Sequence, residues 1–326
     1  MKATRAKRWL GWVAVGFALG LVAHGGGPGQ ALAQDYPNKP VRVIVPFPAG
    51  GALDLTSRAL VSVAEQYLGQ PMIVVIRAGG GGSVGAEAAA KSRPDGYTIF
   101  MGDPGTLVIL PQVQKVPYGP SDFVPLGQLV ALPAVLSVRA DAPWQTAKVF
   151  VEDARKNPGK IKHSAVTFSP EHLMYEVLGT KYGAKFTHVP QPGGGPAMAA
   201  LLGGHVESYA PYPPVVFPHL SAGKVRALGL AGRQRWPAFP TVPTLKEQGL
   251  DVEAYLWIAL FAVKGTPEPV VAKLRDTIKK ISEDNSFKTL MTRIGQEVEY
   301  MPAEPFGRQW ADEVTATKAL LEKIGR

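Results

Sequence analysis

Residues Val41 to Leu60 read VRVIVPFPAGGALDLTSRAL, and the fold is decided there. Val41 to Val45 is apolar and β-branched, the pattern of a buried strand. Pro46-Phe47-Pro48-Ala49-Gly50-Gly51 breaks it as a sharp turn. From Leu53 onward, Leu53, Ala59, Leu60 and Val63 recur at helical spacing, so a helix follows. A strand that feeds a glycine-rich turn opening a helix leaves amide N–H groups without acceptors. Those donors and the helix dipole favour an anion, and the turn is predicted to hold a carboxylate.

The same unit recurs along the chain. Pro71 to Arg77 reads as a second strand, Gly79 to Gly85 as a glycine run, and Ala86 to Lys91 as a helix. Tyr97 to Met101 is a third strand, closed by the turn Gly102-Asp103-Pro104-Gly105-Thr106. Strands alternating with helices through short turns imply βαβ units and a mainly parallel sheet. Ligands bind beyond the carboxyl ends of such strands. Phe123 to Val138, interrupted by Pro125 and Pro133, reads as an extended crossover into a second lobe. There Trp144 to Lys156 is a predicted helix with Thr146 as N-cap. Lys162 to Val166 is a strand ending at Thr167-Phe168-Ser169-Pro170, and Glu171 to Tyr182 is a helix. Phe186 to Val189 ends at Gln191 to Gly195, a turn containing Gly193 and Gly194, and Met198 to Leu202 is helical. Glu207 to Ala210, which includes Tyr209, runs into Pro211-Tyr212-Pro213-Pro214. Val225 to Ala231 carries the chain back, Leu256 to Val263 is a buried strand, and two amphipathic helices, Pro269 to Ile281 and Phe306 to Ile324, close it. The predicted architecture is α/β: two lobes, a ligand cleft and two hinge crossings. Residues 34–130 and 232–326 are assigned to lobe 1, and residues 131–231 to lobe 2.

The first 33 residues read as a cleavable signal peptide. Lys2, Arg5, Lys7 and Arg8 precede an apolar stretch from Trp9 to Ala23, and Ala31-Leu32-Ala33 is an A-x-A-like cleavage site. The stretch is short for a membrane span, so an exported, periplasmic protein is expected. Losing four basic residues and no acid lowers the formal charge from +9 to +5. No dense Lys/Arg cluster accompanies that charge, which argues against a nucleic-acid partner. With no cysteine in the chain there is neither a disulfide nor a thiolate metal site.

Six segments recur in this order and spacing in one family: YPNKPVRVIVPFPAGGALD, RPDGYTIFMG, HVPQPGGGPAMAALLGGHVE, GKVRALGLA, PTVPTLKEQG and KGTPEPVVAKL. The chain from Tyr36 to about Ile324 resembles the Bug-type extracytoplasmic solute receptors of tripartite tricarboxylate transporters. The resemblance implies a type II periplasmic-binding-protein fold and a small carboxylic acid ligand. It implies no cofactor and no catalysis, and a monomer is expected. The implied ligand contacts are Phe47, Pro48, Ala49, Gly50, Gly51 and Asp54, then Gly102, Asp103 and Thr106. In the second lobe they are Thr167, Phe168, Ser169, His172, Gly193, Gly194, Tyr209 and Tyr212. Asp54 either complements the helix dipole or meets a ligand ammonium. Phe168-Ser169-Pro170-Glu171 replaces the family's glycine-rich entry before His172-Leu173, and Gln191-Pro192 replaces a Tyr-Lys pair. Phe168, Tyr209 and Tyr212 would suit an aromatic or less polar acid, or serve as packing. The expected partner is the permease of a tripartite transporter; docking of the same closed surface on a sensor-kinase ectodomain is the alternative.

Two enzyme patterns share the glycine run. Gly80-x-Gly82-x-x-Gly85 with Asp103 downstream matches a dinucleotide fingerprint, but in the second βα unit instead of the first. Gly81-x-Ser83-x-Gly85 matches a nucleophile elbow. No histidine sits in a recognisable triad context, so Ser83 is read as an N-cap and a serine hydrolase is the weakest alternative. His163 and His172, nine residues apart, form no metal pair, and His172 reads as packing.

Overall fold

The structure, a computed structural model, describes residues 36–325; the signal-peptide reading of residues 1–33 lies outside the described residues. Val41–Val45 forms β1, and the 46–51 turn leads into α1 (Ala52–Leu68). β2 (Met72–Ile76), α2 (Ser83–Ala90) and β3 (Thr98–Gly102) follow. The expected turn after β3 is the entry to a helical stretch, Gly105–Ile109, continued by α3 (Leu110–Val113). β4 (Phe123–Pro133) and β5 (Val135–Arg139) are separated by Ala134 alone. The second half of the cleft is built from α4 (Ala147–Lys156), β6 (Lys162–Ala165), α5 (Pro170–Tyr182), β7 (Thr187–Pro190), α6 (Gly194–Leu202), β8 (Ser208–Tyr209), α7 (Pro213–Ser221) and β9 (Val225–Leu230). The chain then forms β10 (Tyr255–Val263), α8 (Glu268–Glu283), α9 (Asn285–Arg293), β11 (Met301–Pro302) and α10 (Ala303–Lys323).

Two sheets result, in the orders β11-β4-β10-β3-β1-β2 and β7-β6-β8-β5-β9. This is the predicted two-lobed α/β fold. The expectation of mainly parallel sheets holds only for β2-β1-β3 and β7-β6-β8. β10 pairs antiparallel with β3 and β4, and β5 pairs antiparallel with β8 and β9. The reason is the path of the chain. It leaves the first sheet along β4 and β5 and comes back along β9 and β10, and neighbours on an out-and-back path run in opposite directions.

The two crossings meet at three alanines. Ala134 N–H donates to the Ala254 carbonyl at 2.9 Å, Ala231 N–H to the Ala134 carbonyl at 2.8 Å, and Ala254 N–H to the Ala231 carbonyl at 2.9 Å. All three are buried. Methyl side chains let the two crossing strands lie backbone against backbone where the lobes join.

Among the helix starts, Thr146 caps α4 as expected, its hydroxyl accepting from Val149 N–H at 3.2 Å. Ser83 does not cap α2; the N-cap is Gly82, held at φ 101° with no side-chain cap. Gly85 has a packing reason. A Cβ there would lie 2.8 Å from the Arg77 carbonyl and from Pro46 Cα, where α2 crosses the end of β1. The glycine spacing that mimics a dinucleotide fingerprint is thus a helix–strand contact. Gly85→Ala should cost about 1–3 kcal/mol of stability by overpacking, read as a lower urea midpoint at unchanged m-value; an unshifted midpoint would show that the contact yields.

Candidate ligand site

The strand ends of the two sheets face one another across a cleft. The first lobe contributes Phe47, the start of α1 from Gly51 to Leu53, and Asp103. The second contributes Val166, Ser169 and Glu171 around the start of α5, Gly194 at α6, Tyr209 of β8, and Tyr212 and Val215 at α7. Leu256 of β10 completes the wall. The volume left between the lobes is about 40 Å³, room for a few waters and too little for an organic acid. A groove of about 880 Å³ lies elsewhere, lined by Pro133, Arg233, Trp236, Tyr255 and Glu313. It borders the crossings and α10, away from the strand ends that define the cleft.

The cleft is shut by two turns in backbone contact. A Cβ on Gly195 would lie 2.8 Å from the Ala49 carbonyl, and one on Gly193 would lie 2.8 Å from Pro48 Cδ. A Cβ on Gly51 would stand 3.6 Å from the Gly194 nitrogen. The loop of Pro48, Ala49 and Gly50 therefore serves as the first lobe's contact surface as well as the entry to α1.

α1 begins without a side-chain cap. Its first intrahelical bond is Leu55 N–H to the Gly51 carbonyl at 3.0 Å, so the amides of Ala52, Leu53 and Asp54 have no helical acceptor. The Gly50 amide is occupied: it donates to Asp54 Oδ2 at 3.0 Å. Arg58 Nε stands 2.9 Å from Asp54 Oδ1. Asp54 is thus committed to the turn and to its own helix and does not line the cavity, which moves the free donors from the turn to the first residues of α1.

The other anticipated residues divide between the cavity and its support. Ser169 lines the cavity, but its hydroxyl donates to the Val166 carbonyl at 2.7 Å and accepts from His172 N–H at 3.3 Å, capping α5. Phe168 adopts φ 64°. Its ring packs with Ile109, Leu173 and Leu321, a packing role outside the cavity lining. Thr167 Oγ1 lies 2.9 Å from His188 Nε2, and His172 Nδ1 accepts from Phe168 N–H at 3.1 Å. The rings of His163, His172 and His188 pack together with centroids 4.2–6.0 Å apart. Burial, with the neighbouring His188 and His172, pushes His163 down to about 2. No three His, Cys, Asp or Glu side chains among the described residues are placed to hold a metal. Gly102 abuts Leu107 and Phe261, where a Cβ would lie 2.6 Å and 2.7 Å away. Thr106 is buried behind Asp103, and its carbonyl accepts from the Tyr118 hydroxyl at 3.0 Å.

Glu171 was not among the residues the sequence singled out. As the residue after Pro170 it looks like an acid complementing a helix start. In the structure it is 4% exposed and points at Tyr212, whose hydroxyl donates to Oε2 at 2.5 Å. Burial pushes its carboxyl up to about 7, against the pull of that hydroxyl. Asp103 is pushed up to about 6 by burial, against its bonds to Thr106 and Gly105. No Lys, Arg or His side chain lines the cavity.

A fold of two crossed-over α/β lobes shut on a small strand-end cavity is that of a solute-binding receptor. The profile of the tripartite tricarboxylate transporter family receptor matches residues 56–326, and the chain belongs to this family. A Cupriavidus necator relative, "UPF0065 protein in gbd 5'region", is 36% identical over 310 residues, covering 94% of this chain and 93% of its own length. The solved structure of the periplasmic binding protein BugD superposes with a TM-score of 0.83 at 31% identity, over 89% of this chain and 99% of BugD. MatC from Rhodopseudomonas palustris, solved with bound malate, superposes at 0.81 with 29% identity, over 88% and 100%. The chain is a periplasmic-type solute-binding protein and not an enzyme. No helix among the described residues is long and apolar enough to cross a membrane.

Glu171 also sets a pH signature. Its ordinary pKa of 4.5 is raised in the fold, so the folded chain keeps a proton that the unfolded chain has released. Its contribution to stability is full below the unfolded pKa and is lost as pH rises toward about 7. Glu171→Gln should therefore gain stability relative to the parent between about pH 5 and about pH 8, measured by paired thermal unfolding. A difference that stays constant with pH would contradict the raised pKa.

Proposed function

We propose that this protein captures a small organic carboxylate in the periplasm and presents it, closed, to the permease subunits of a tripartite tricarboxylate-type transporter. The observation that carries this reading is the uncapped start of α1. Ala52 and Leu53 line the cavity at a helix start that has no side-chain cap, and a carboxylate is the natural acceptor for amides at such a start. The malate bound by MatC supports the ligand class. The remaining first-lobe contacts are Phe47, Gly51 and Asp103, and those from the second lobe are Ser169, Gly194, Tyr209 and Tyr212.

Capture is a hinge closure about Ala134, Ala231 and Ala254. Ligand contacts on both lobes favour the shut state over the open one. Opening separates the 48–51 turn from Gly193 to Gly195 and admits the ligand; closing restores the glycine contact and excludes bulk water. A permease then reads a surface that exists only when the two turns meet.

Protein stripped of any co-purified ligand by unfolding and refolding tests this. In a thermal-shift panel, a carboxylic acid at a hundredfold above its dissociation constant should add about 2.7 kcal/mol of stability. Stabilisation by sugars or inorganic cations with none by any acid would overturn the reading.

A further inference from the structure

Among the described residues, Phe168 alone combines a side chain with a positive φ, 64°. That backbone is costly for a bulky residue and persists only where the surroundings hold it. Two features hold it here. The Phe168 N–H donates to His172 Nδ1 at 3.1 Å, tying the loop to the start of α5. The ring, with Leu173 of α5, then packs into a small apolar cluster with Ile109, Val113, Leu320, Leu321 and Ile324.

That cluster joins the two lobes. Phe168 and Leu173 follow β6 of the second sheet. Ile109 and Val113 lie in the helical stretch after β3 of the first sheet. Leu320, Leu321 and Ile324 lie at the end of α10, which packs on β4 and on that same stretch. The backbone beside the ring is in looser contact. A Cβ on Gly105 would stand 3.6 Å from Ser169 Cα, and one on Gly81 would stand 3.7 Å from the Thr167 carbonyl. Both are ordinary contact distances, so the loop rests on the first lobe without being wedged by it, and the attraction comes from the apolar seat.

Opening the hinge withdraws Phe168 and Leu173 from that seat. Ile109 and Leu321, each 3% exposed when shut, would then meet water, and reburying them favours closure whatever the cleft contains. The Phe168 ring stands outside the cavity lining, so this attraction does not depend on a ligand. We infer that Phe168 is an apolar latch between the lobes. It holds a minority of the ligand-free protein shut and raises the affinity for every ligand by one common factor, leaving their ranking to the cavity walls. The inference rests on the closure reading of capture and adds to it a bias that needs no ligand.

Pulsed electron resonance on the stripped, refolded chain, spin-labelled at the exposed positions Ile73 and Val149, tests the latch. The stripped parent should show a shut minority, at the separation of the shut structure, beside an open majority. Phe168→Gly should lower the shut-to-open ratio at least about tenfold and take that minority out of view. Glycine adopts the left-handed backbone without strain, so this variant keeps the loop. Leu321→Ala, which cuts the seat on the opposite lobe, should act in the same direction. A stripped parent without the shut separation, or a Phe168→Gly protein that keeps the parent's ratio, would overturn the latch. Adding malate, succinate or benzoate to the same labelled chains reads ligand-driven closure separately. If an acid shuts the parent while Phe168→Gly leaves the stripped distribution unaltered, the latch falls and carboxylate capture stands. If Phe168→Gly removes the shut minority while no acid enlarges it in the parent, the latch stands and carboxylate capture falls.

Discussion

The two lobes meet at a pair of turns that leave no space for a side chain on the glycine side. Gly193, Gly194 and Gly195 lie on Pro48, Ala49 and Gly51 at distances that leave no room for a Cβ at Gly193 or Gly195. Other features follow from that contact. It brings the uncapped start of α1 opposite the starts of α5, α6 and α7, and it reduces the cavity to about 40 Å³. It also explains why the joints at Ala134, Ala231 and Ala254 are small: a backbone-to-backbone clamp at the mouth needs strands that cross as closely at the hinge.

Electrostatics divides the cavity between its walls. Amide donors at α1 favour an anion, while Asp103 and Glu171 hold protons more tightly than exposed carboxyls do because burial penalises their charge. The shut site is thus polarised without being strongly charged.

Much of this was legible in the chain. The β1–turn–α1 unit, the strand-end loops and the two crossings follow from apolar runs interrupted by glycine and proline, because local periodicity reports local structure. Antiparallel pairing at β10 and β5 was not legible, since it depends on the route of the whole chain. Asp54 read as an ambiguous first-turn acid, and only the folded turn shows its oxygens occupied by Gly50 and Arg58. Phe168 read as a cleft aromatic, but its left-handed backbone turns the ring into a cluster with Leu173 and Leu321. Glu171 was missed for the opposite reason. Its sequence context fits a helix-start acid, and its partner Tyr212 lies 41 residues away.

The central claim is that bare backbone at Gly195 permits closure, and a distance measurement tests it directly. The chain has no cysteine, so spin labels placed at the exposed positions Ile73 and Val149, one on each lobe, report the lobe separation by pulsed electron resonance. With a stabilising ligand the parent should give a single narrow distance distribution distinct from that of the stripped protein. Gly195→Ala, whose Cβ would meet the Ala49 carbonyl at 2.8 Å, should keep the stripped distribution at the same ligand concentration. A Gly195→Ala protein that reaches the parent's ligand-bound distance would show that closure does not depend on the glycine contact.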